Sequence, residues 1–361
     1  MQKVKVDLAD RSYTVYIGSG LLGKAHPAFD TGSSSTVLIV SNETVAPLYM
    51  KNLANSLQGT DVHRLILPDG ETYKTSEYWS QIIDKLIEIR ATRDTTLITL
   101  GGGVIGDLGG FAAASYMRGI NFIQVPTSLL AQVDASVGGK TGFNHPRGKN
   151  LIGAFHQPEA VLVDIDTLRS LPAREFSAGL AEVVKIAAVR DEEFLSWLES
   201  NGTAIMAREP EAITSMIRHS IANKADIVAE DEREAGVRAL LNFGHSFAHA
   251  LETLTGYQQY LHGEAVAIGM MVASRLSELR GFCDAGFSVR LGKLLQSFDL
   301  PLTIPDDLDA EDILETMKLD KKVIAGSTRL ILVKSAGQGF IDSTSDRQQI
   351  ATAIKASQPI N

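Results

Sequence analysis

The chain has 361 residues, of which 44% are hydrophobic and 21% charged, so it is long enough for two domains and is neither a disordered nor a fibrous protein. Its 43 acidic residues against 34 basic ones give a net charge of −9 at pH 7, which argues against nucleic acid or an anionic membrane as the main partner. A lone cysteine excludes an internal disulfide or a cysteine metal cage, and the lack of a signal-peptide pattern or a long apolar stretch predicts a cytoplasmic protein.

Short apolar runs, rich in β-branched residues, recur through the first 171 residues, and helical patterns such as 76–90 separate them. The runs lie at residues 37–40, 65–67, 96–100, 122–125 and 161–163. Buried strands that alternate with helices are typical of a mostly parallel sheet. We therefore predict an α/β domain over residues 1–171.

From residue 172 the pattern changes to long stretches with helical spacing, with one more strand expected at 328–333. The helical stretches lie at 176–190, 193–200, 210–229, 237–254 and 263–279. This change of period predicts an α-helical second domain over residues 172–361.

A glycine-rich loop follows the strand predicted at 96–100. Gly101, Gly103 and Gly106 satisfy the pattern G-x-G-x-x-G at a strand-to-helix turn. Backbone N–H groups and a helix N-terminus can hold a diphosphate at such a turn. A glycine turn made only for close helix packing would show the same spacing.

The loop departs from the dinucleotide fingerprint in two ways. It follows about the third strand–helix unit rather than the first, and the next strand ends in Pro126 and Thr127 rather than in an acidic residue. A carboxylate for a ribose must then come from elsewhere, and Glu71 in the polar turn 69–74 could supply it. The sequence therefore predicts a nucleotide site that is not an ordinary Rossmann site.

The segment 138–141, Gly-Gly-Lys-Thr, looks like the end of an ATP-binding P-loop. The position that should hold the first glycine of that motif is Asp134. An acidic side chain is unfavourable where the backbone must wrap around a phosphate. We therefore do not predict an ATP site.

A glutamate and several histidines in the helical half have the composition of a catalytic zinc site. Glu182 lies three residues before Lys185, His245 and His249 share one helix face, and His262 begins a later helical stretch. A Glu and two His leave one position open on zinc, which can then hold substrate oxygens as a Lewis acid.

Other interpretations of these residues stay open at this point. Phe243 and Phe247 flank the histidines, which is also typical of core packing, and Glu182 with Lys185 could form only an ion pair within one helix. Glu264 competes with Glu182 as the carboxylate ligand.

Positive charge is concentrated in the polar, glycine-rich segment 133–150, which can direct cations and amides at a phosphate or a carboxylate. This segment holds Lys140, His145, Arg147 and Lys149, and the helical half adds Lys185, Lys224, Arg238, Lys321 and Lys322. A solvated charged loop is the alternative. These cations lie in apolar or glycine-rich surroundings, which favours a small anionic substrate.

Long blocks of the sequence resemble the 3-dehydroquinate synthase family. The blocks are 69–74, 101–119, 126–158, 171–185, 238–252, 262–270 and 319–322. The resemblance implies an N-terminal, mostly parallel-sheet NAD-binding α/β domain followed by a C-terminal α-helical metal- and substrate-binding domain, assembled as a homodimer.

The resemblance also implies a set of cofactor ligands. It makes Glu182, His245 and His262 the ligands of Zn²⁺ or Co²⁺, ahead of His249 and Glu264. The implied NAD-binding residues are Asn42, Asp69, Gly70, Glu71, Thr72, Tyr73, Lys74, Gly103, Val104, Ile105, Gly106, Asp107, Thr127, Ser128, Lys140, Lys149, Thr167, Leu168, Arg169 and Ser170. Ser128 stands where many members have threonine, and both side chains supply a hydroxyl.

The implied substrate residues are divided between two anionic groups. Arg238 and Lys224 are assigned to a carboxylate, and Asp134 to orienting the substrate and nearby lysines. The phosphate set is Lys140, Asn150, Lys185, Asn242, His249, Arg118 (reaching a neighbouring subunit) and one of Lys321 and Lys322, with Lys321 preferred. His249 is also a candidate proton relay.

The implied activity is the conversion of 3-deoxy-D-arabino-heptulosonate 7-phosphate to 3-dehydroquinate and phosphate. Another sugar phosphate cyclase, such as a 2-deoxy-scyllo-inosose synthase, is the nearest alternative, but its substrate has no carboxylate and would not need Arg238 and Lys224. A polyol or glycerol-phosphate dehydrogenase is a weaker one. A catalytically silent NAD-binding paralogue would have no need for all three metal ligands.

Overall fold

The computed structural model describes residues 1–24, 26–29, 36–234, 236–318, 323–324 and 327–359. The chain divides into two compact units. The first unit holds Met1–Leu171 and Ile213–Arg233, and the second holds Pro172–Ala212 and Glu234–Asn361. The domain assignment made from the sequence, 1–171 and 172–361, stays a prediction.

Nine strands lie in the described part of the first unit. They are β1 (Gln2–Val6), β2 (Tyr13–Gly18), β3 (Thr36–Asn42), β4 (Asp61–Leu67), β5 (Thr96–Gly101), β6 (Asn121–Pro126), β7 (Lys140–His145), β8 (Gly148–Phe155) and β9 (Ala160–Asp164). Seven of them form one sheet in the order β1-β2-β9-β6-β5-β3-β4, while β7 and β8 form an antiparallel hairpin. All pairs in the large sheet are parallel except β1 with β2. The predicted mostly parallel sheet is confirmed.

Eleven α-helices lie in the described residues of the whole chain. They are α1 (Ala46–Asn55), α2 (Ser76–Glu88), α3 (Gly103–Ser115), α4 (Ala173–Arg190), α5 (Glu192–Met206), α6 (Pro210–Glu230), α7 (His245–Leu254), α8 (His262–Leu279), α9 (Phe287–Ser297), α10 (Ala310–Lys318) and α11 (Arg347–Lys355). No helix in this part of the chain combines the length and apolar character needed to cross a membrane.

Helices cover both faces of the large sheet. Successive residues of a strand point to opposite sides and therefore pack against different helices. In β3, Ile39 packs with Leu53 of α1 in one core. Leu38 and Val40 pack on the other face with Leu86 of α2 and Leu108 of α3. Burial on both faces explains why the predicted runs at 37–40, 96–100, 122–125 and 161–163 are continuously apolar, whereas 65–67 lies in the edge strand β4.

The direction in which successive strands are added to the sheet reverses between the parallel strands β3 and β5. After β3 the chain passes through α1 to β4 on one side, and after β5 it passes through α3 to β6 on the other side. β3 and β5 are neighbours in the sheet. In open α/β sheets, a crevice for ligands forms at such a reversal, beyond the carboxyl ends of the strands.

Two glycines let α3 lie directly on its neighbours. A Cβ on Gly109 would be 2.2 Å from the Thr99 methyl carbon, and one on Gly110 would be 2.4 Å from the methyl carbon of Thr141 in β7. Both distances are too short for any larger residue. The glycine-rich sequence therefore serves close packing in addition to opening α3.

The second unit is mainly helical, as predicted, and its remaining strands are short. They are β10 (Val323–Ile324), β11 (Ser327–Thr328), β12 (Leu330–Ser335) and β13 (Gln338–Asp342), paired as two antiparallel hairpins. The strand expected at 328–333 corresponds to β12. The expected single helix over 237–254 is wrong in detail, because Val237–Asn242 is a 3₁₀ segment and Gly244, at φ +82°, separates it from α7.

Close helix crossings bring α4, α7 and α8 together. A Cβ on Gly263 of α8 would be 1.8 Å from the carbonyl oxygen of Ala178 in α4. A Cβ on Gly269 of α8 would be 2.1 Å from the carbonyl oxygen of Gly244, just before α7. Only glycine fits at either position, so the backbones of these helices lie in direct contact.

Candidate functional site

Except for Lys140 and Lys149, the residues predicted to bind NAD lie at or just after the carboxyl ends of five parallel strands. Asn42 ends β3, the turn 69–74 follows β4, and residues 103–107 open α3 directly after β5. Thr127 and Ser128 follow β6, and the turn 167–170 follows β9. These loops share one edge of the sheet, so the structure brings together a set that is scattered over more than a hundred positions of the sequence.

Hydrogen bonds fix the loops on either side of the crevice between β3 and β5. The Asn42 amide donates to Asp69 Oδ1 at 2.6 Å, and its carbonyl oxygen accepts the Val45 N–H at 2.8 Å. The Thr127 N–H donates to the carbonyl oxygen of Gly101 at 3.0 Å. Gly70, at φ +127°, permits a turn that other residues would enter only with strain.

A charged group lies beside the start of α3. The Lys74 ammonium, on a residue only 4% exposed, is 2.5 Å from Asp107 Oδ2 and donates to Asn150 Oδ1 at 2.7 Å. Burial by itself lowers the pKa of Lys74, but the charges of Asp107 and Glu71 outweigh it and raise that pKa. Lys74 therefore stays charged and joins Asn150 of β8 to the turn 69–74 and to the start of α3.

Asn144, at the end of β7, is a residue that the sequence reasoning missed. Its side chain donates to Glu71 Oε1 at 2.8 Å and accepts the Asn150 N–H at 2.9 Å, while its own N–H donates to the Lys74 carbonyl oxygen at 2.8 Å. It joins the turn 69–74 to the hairpin. Asn144 lies within the polar segment 133–150, but only the fold shows what it contacts.

Gln132 and Tyr49 were also missed, and both hold the turn after β9. The fully buried Gln132 amide lies within hydrogen-bonding distance of the carbonyl oxygen of Pro126 at 3.2 Å and Thr167 Oγ1 at 3.0 Å. The Tyr49 hydroxyl, from α1, is 2.6 Å from Ser170 Oγ. Gln132 lies within the block 126–158 and Tyr49 lies in no motif, and only the fold shows what either side chain contacts.

Asp134 and Lys224, two of the predicted substrate residues, form an ion pair. The Lys224 ammonium is 2.7 Å from Asp134 Oδ1 and donates to the Asp134 carbonyl oxygen at 2.5 Å. Asp134 lies in a single π-helical turn, Ala131–Ala135. Such turns are frequent at functional sites, because they redirect a side chain without ending the helix.

The other predicted substrate residues of the first unit, together with the predicted NAD-binding residue Lys149, lie on or beside the hairpin or in the turn after α3. Lys140 begins β7, Lys149 lies in β8, and Asn150 has a left-handed backbone at φ +52°. Arg118 is exposed and ends the 3₁₀ turn that follows α3.

The three predicted metal ligands come together in the second unit. Glu182 lies in the middle of α4, while His245 and His262 are the first residues of α7 and α8. One donor atom from each falls within 4.8 Å of the others. Glu182 Oε1 is 3.8 Å from His245 Nε2 and 3.7 Å from His262 Nε2.

Glu182 Oε1 shows that this cluster fits a metal ion. The oxygen is buried, and it accepts no hydrogen bond from the described residues, although an unpaired carboxylate oxygen is costly to bury. The other oxygen, Oε2, accepts a hydrogen bond from Lys185. Ligands about 2.0–2.1 Å from a tetrahedral zinc lie roughly 3.4 Å from one another, close to the spacing observed.

His249 and Glu264, the competing ligands, stand outside this cluster. The His249 ring centre is 5.7 Å from that of His245 and 6.2 Å from that of His262, which makes it a neighbour of the cluster. Both carboxylate oxygens of Glu264 accept hydrogen bonds from Arg174, at 2.7 and 2.8 Å. Glu264 is therefore committed to another contact.

The remaining predicted substrate residues are only partly described. Arg238 is buried in the 3₁₀ segment before α7, and the Asn242 amide donates to Glu234 Oε1 at 2.6 Å. Lys321 and Lys322 lie outside the described residues.

Family models agree with the geometry. The model for the N-terminal part of 3-dehydroquinate synthase matches residues 64–178, and the model for its C-terminal part matches residues 179–323. The chain belongs to the 3-dehydroquinate synthase family. A 3-dehydroquinate synthase of Hydrogenovibrio crunogenus is 52% identical over 341 residues, which are 94% of this chain and 95% of that protein.

Solved structures share the fold of this 3-dehydroquinate synthase family member over nearly its whole length. A 2-epi-5-epi-valiolone synthase from Streptomyces hygroscopicus, with NAD⁺ and Zn²⁺ bound, has a TM-score of 0.88 at 28% identity and covers 97% of this chain and 98% of its own. A 2-deoxy-scyllo-inosose synthase complexed with carbaglucose-6-phosphate, NAD⁺ and Co²⁺ has a TM-score of 0.88 at 24% identity, covering 99% of this chain and 100% of its own.

Proposed function

We propose that this protein is a 3-dehydroquinate synthase, a carbon–oxygen lyase that converts 3-deoxy-D-arabino-heptulosonate 7-phosphate to 3-dehydroquinate and phosphate in the shikimate pathway of aromatic amino acid and chorismate biosynthesis. The observation that carries the chemistry is the buried, unpaired Glu182 oxygen between two histidine Nε2 atoms. The choice of substrate is supported by the relative at 52% identity.

The cofactors of this proposal are NAD⁺ and one divalent metal ion, zinc or cobalt. When bound, NAD⁺ would supply a reversible hydride acceptor for C5 of the substrate, and the metal would supply a Lewis acid for the neighbouring hydroxyls. Glu182, His245 and His262 would hold the metal. The N-terminus of α3 would hold the diphosphate, and Glu71 would accept a hydrogen bond from a ribose hydroxyl.

The roles of the charged residues follow from the two anionic groups of the substrate. In the first unit, we assign Lys140, Asn150 and Arg118 to the phosphate and Lys224, oriented by Asp134, to the carboxylate. In the second unit, we assign Lys185, Asn242, His249 and Lys321 to the phosphate and Arg238 to the carboxylate. Cations stabilise the phosphate as it leaves. In this proposal the phosphate itself takes the C6 proton, so the protein needs no dedicated carboxylate base for that step.

An assay with the intact protein tests this proposal. Phosphate release from 3-deoxy-D-arabino-heptulosonate 7-phosphate is measured with NAD⁺ and zinc present, while absorbance is followed at the NADH band. We expect phosphate without accumulated NADH, and no phosphate when either cofactor is withheld. NADH formed in proportion to turnover would instead mean a dehydrogenase, and turnover only of a sugar phosphate without a carboxylate would mean another cyclase.

We also propose a cytoplasmic homodimer, in which Arg118 reaches a neighbouring subunit. The exposed position of Arg118 supports this assignment. Analytical ultracentrifugation tests the dimer. Mixing Arg118→Ala subunits with subunits inactivated at Glu182 tests the shared site, because only a hybrid dimer could then regain one complete site.

A further inference from the structure

Glu252 is a buried carboxylate close to the metal cluster, and none of the proposed roles includes it, although it ends the block 238–252. It lies on α7, seven residues after His245, so two helical turns place both residues on the same face. It is only 3% exposed. A buried carboxylate is costly unless it is paired with a suitable partner.

One of its partners is the second nitrogen of a metal ligand. In His262, Nε2 points towards Glu182, while Nδ1 is 3.3 Å from Glu252 Oε1. An ionised carboxylate only accepts hydrogen bonds, so this contact requires the ring proton to be on Nδ1. Nε2 then carries the ring's lone pair, on the side of Glu182.

The two histidines of the cluster are held by different acceptors. His245 Nδ1 is 3.3 Å from the carbonyl oxygen of Phe243, a neutral acceptor in the backbone two residues away. The His262 side chain is 34% exposed against 12% for His245, so its ring is less restrained by its surroundings. His262 is therefore the ligand that depends more on a fixed partner, and Glu252 supplies a charged one.

We infer that Glu252 is a positioning residue of the metal centre, which holds His262 in the tautomer and orientation that present Nε2 to the ion. A carboxylate in this role also makes the ring a stronger ligand, and loss of such outer partners typically weakens metal binding 10–100-fold. The inference rests on the proposed function only in that the cluster binds a metal.

Zinc transfer from the holoenzyme to a coloured chelator tests this role. Glu252→Gln keeps the size of the side chain but removes its charge and lets an amide N–H face Nδ1. We expect it to bind zinc about 10–100-fold more weakly than the unchanged protein. Glu252→Asp, which keeps the charge on a shorter side chain, should recover part of the affinity.

Asp342→Asn is the matched control. Asp342 is a buried carboxylate of the same unit that accepts hydrogen bonds from Thr344 and Ser345, away from the cluster. Its variant should keep the zinc affinity even if it unfolds at a lower temperature. An equal loss in both variants, or no loss in Glu252→Gln, would overturn the inference.

A spectroscopic measurement separates positioning from general loosening. With Co²⁺ in place of zinc, the visible absorption reports the ligand geometry, so Glu252→Gln should shift the bands and Asp342→Asn should not. Unchanged bands in Glu252→Gln would count against positioning. If the unchanged protein itself bound neither zinc nor cobalt, the proposed function would fail, which is a different outcome from a failure of this inference alone.

Discussion

The nucleotide side of the first unit and the metal cluster of the second are built in different ways. On the nucleotide side, position comes from the backbone, because each loop starts where a parallel strand ends. In the cluster, position comes from three helices whose crossings depend on glycine contacts. Motifs beside strands can therefore be placed from local sequence order, whereas ligands at 182, 245 and 262 meet only through tertiary packing.

The largest expected effect is a break in the helix crossing that supports the cluster. Gly263→Ala would place a methyl group 1.8 Å from the Ala178 carbonyl oxygen, so α8 must move away from α4. We expect a loss of about 1–3 kcal/mol or more in the free energy of unfolding, together with a marked loss of bound zinc. Thermal unfolding and metal analysis measure the two effects.

Gly286→Ala is the control for this substitution. Gly286 lies before α9, has an ordinary negative φ, and a Cβ there would meet no atom within 4 Å. This variant should keep both its stability and its zinc. If Gly263→Ala behaved in the same way, the close crossing would not be what sets the cluster.

The next effect concerns the charge that recognises the substrate. Replacing Arg238 with alanine should weaken substrate binding by about 1.5–3 kcal/mol, the contribution of a charged hydrogen bond, and raise KM accordingly. Because Arg238 is buried, the variant must first be shown to be folded by circular dichroism. An unchanged KM in a folded Arg238→Ala protein would refute the assigned role, whereas Arg238→Lys should recover part of the binding.

A smaller effect is expected from the link between the turn 69–74 and the hairpin. Asn144→Asp keeps the acceptor for the Asn150 N–H but sets a second carboxylate against Glu71. We expect NAD⁺ to bind about tenfold more weakly, since one hydrogen bond to a charged group is lost and a repulsion is gained. Titration calorimetry, in which NAD⁺ is added to the zinc-loaded protein, measures this change.

Asn201→Asp is a suitable comparison for Asn144→Asp. The Asn201 amide donates to the Trp197 carbonyl oxygen, within α5. Its substitution should leave NAD⁺ binding unchanged. Equal NAD⁺ affinity in the two variants would show that Asn144 does not support the nucleotide turn.

These contrasts explain how far the sequence could lead. The parallel sheet was predictable because strands buried on both faces appear as continuous apolar runs. Spacing alone did not choose the proposed metal ligands, since it left Glu264 as suitable as Glu182. The resemblance favoured Glu182, and the contact of Glu264 with Arg174, ninety residues away in sequence, supports that choice. Glu252 and Asn144 could not be recognised, because their partners are set by the fold.

The break at Gly244 shows the same limit within one element. Helical spacing continues through 237–254, so a single helix was predicted, yet a left-handed glycine separates the 3₁₀ segment from α7. The break makes His245 the first residue of α7, where its Nδ1 can reach the Phe243 carbonyl oxygen. The hydrophobic period reports which face is buried, and it does not report where the backbone turns to place a ligand.

The smallest effect is expected at Cys283, which belongs neither to the strand-end loops of the first unit nor to the metal cluster of the second. Burial, followed by the charges of Glu278 and Asp284, raises the pKa of its thiol to about 11. Only the thiolate is nucleophilic, so at pH 8 the native protein should react with iodoacetamide far more slowly than the unfolded chain, and the rate should rise as the pH approaches 11. Alkylation at high pH, followed by return to pH 8, should leave bound zinc unchanged, because the cluster uses nitrogen and oxygen donors. Loss of zinc in proportion to alkylation would mean that the thiol supports the metal centre. Cys283 would then have to be counted among the residues that support the cluster.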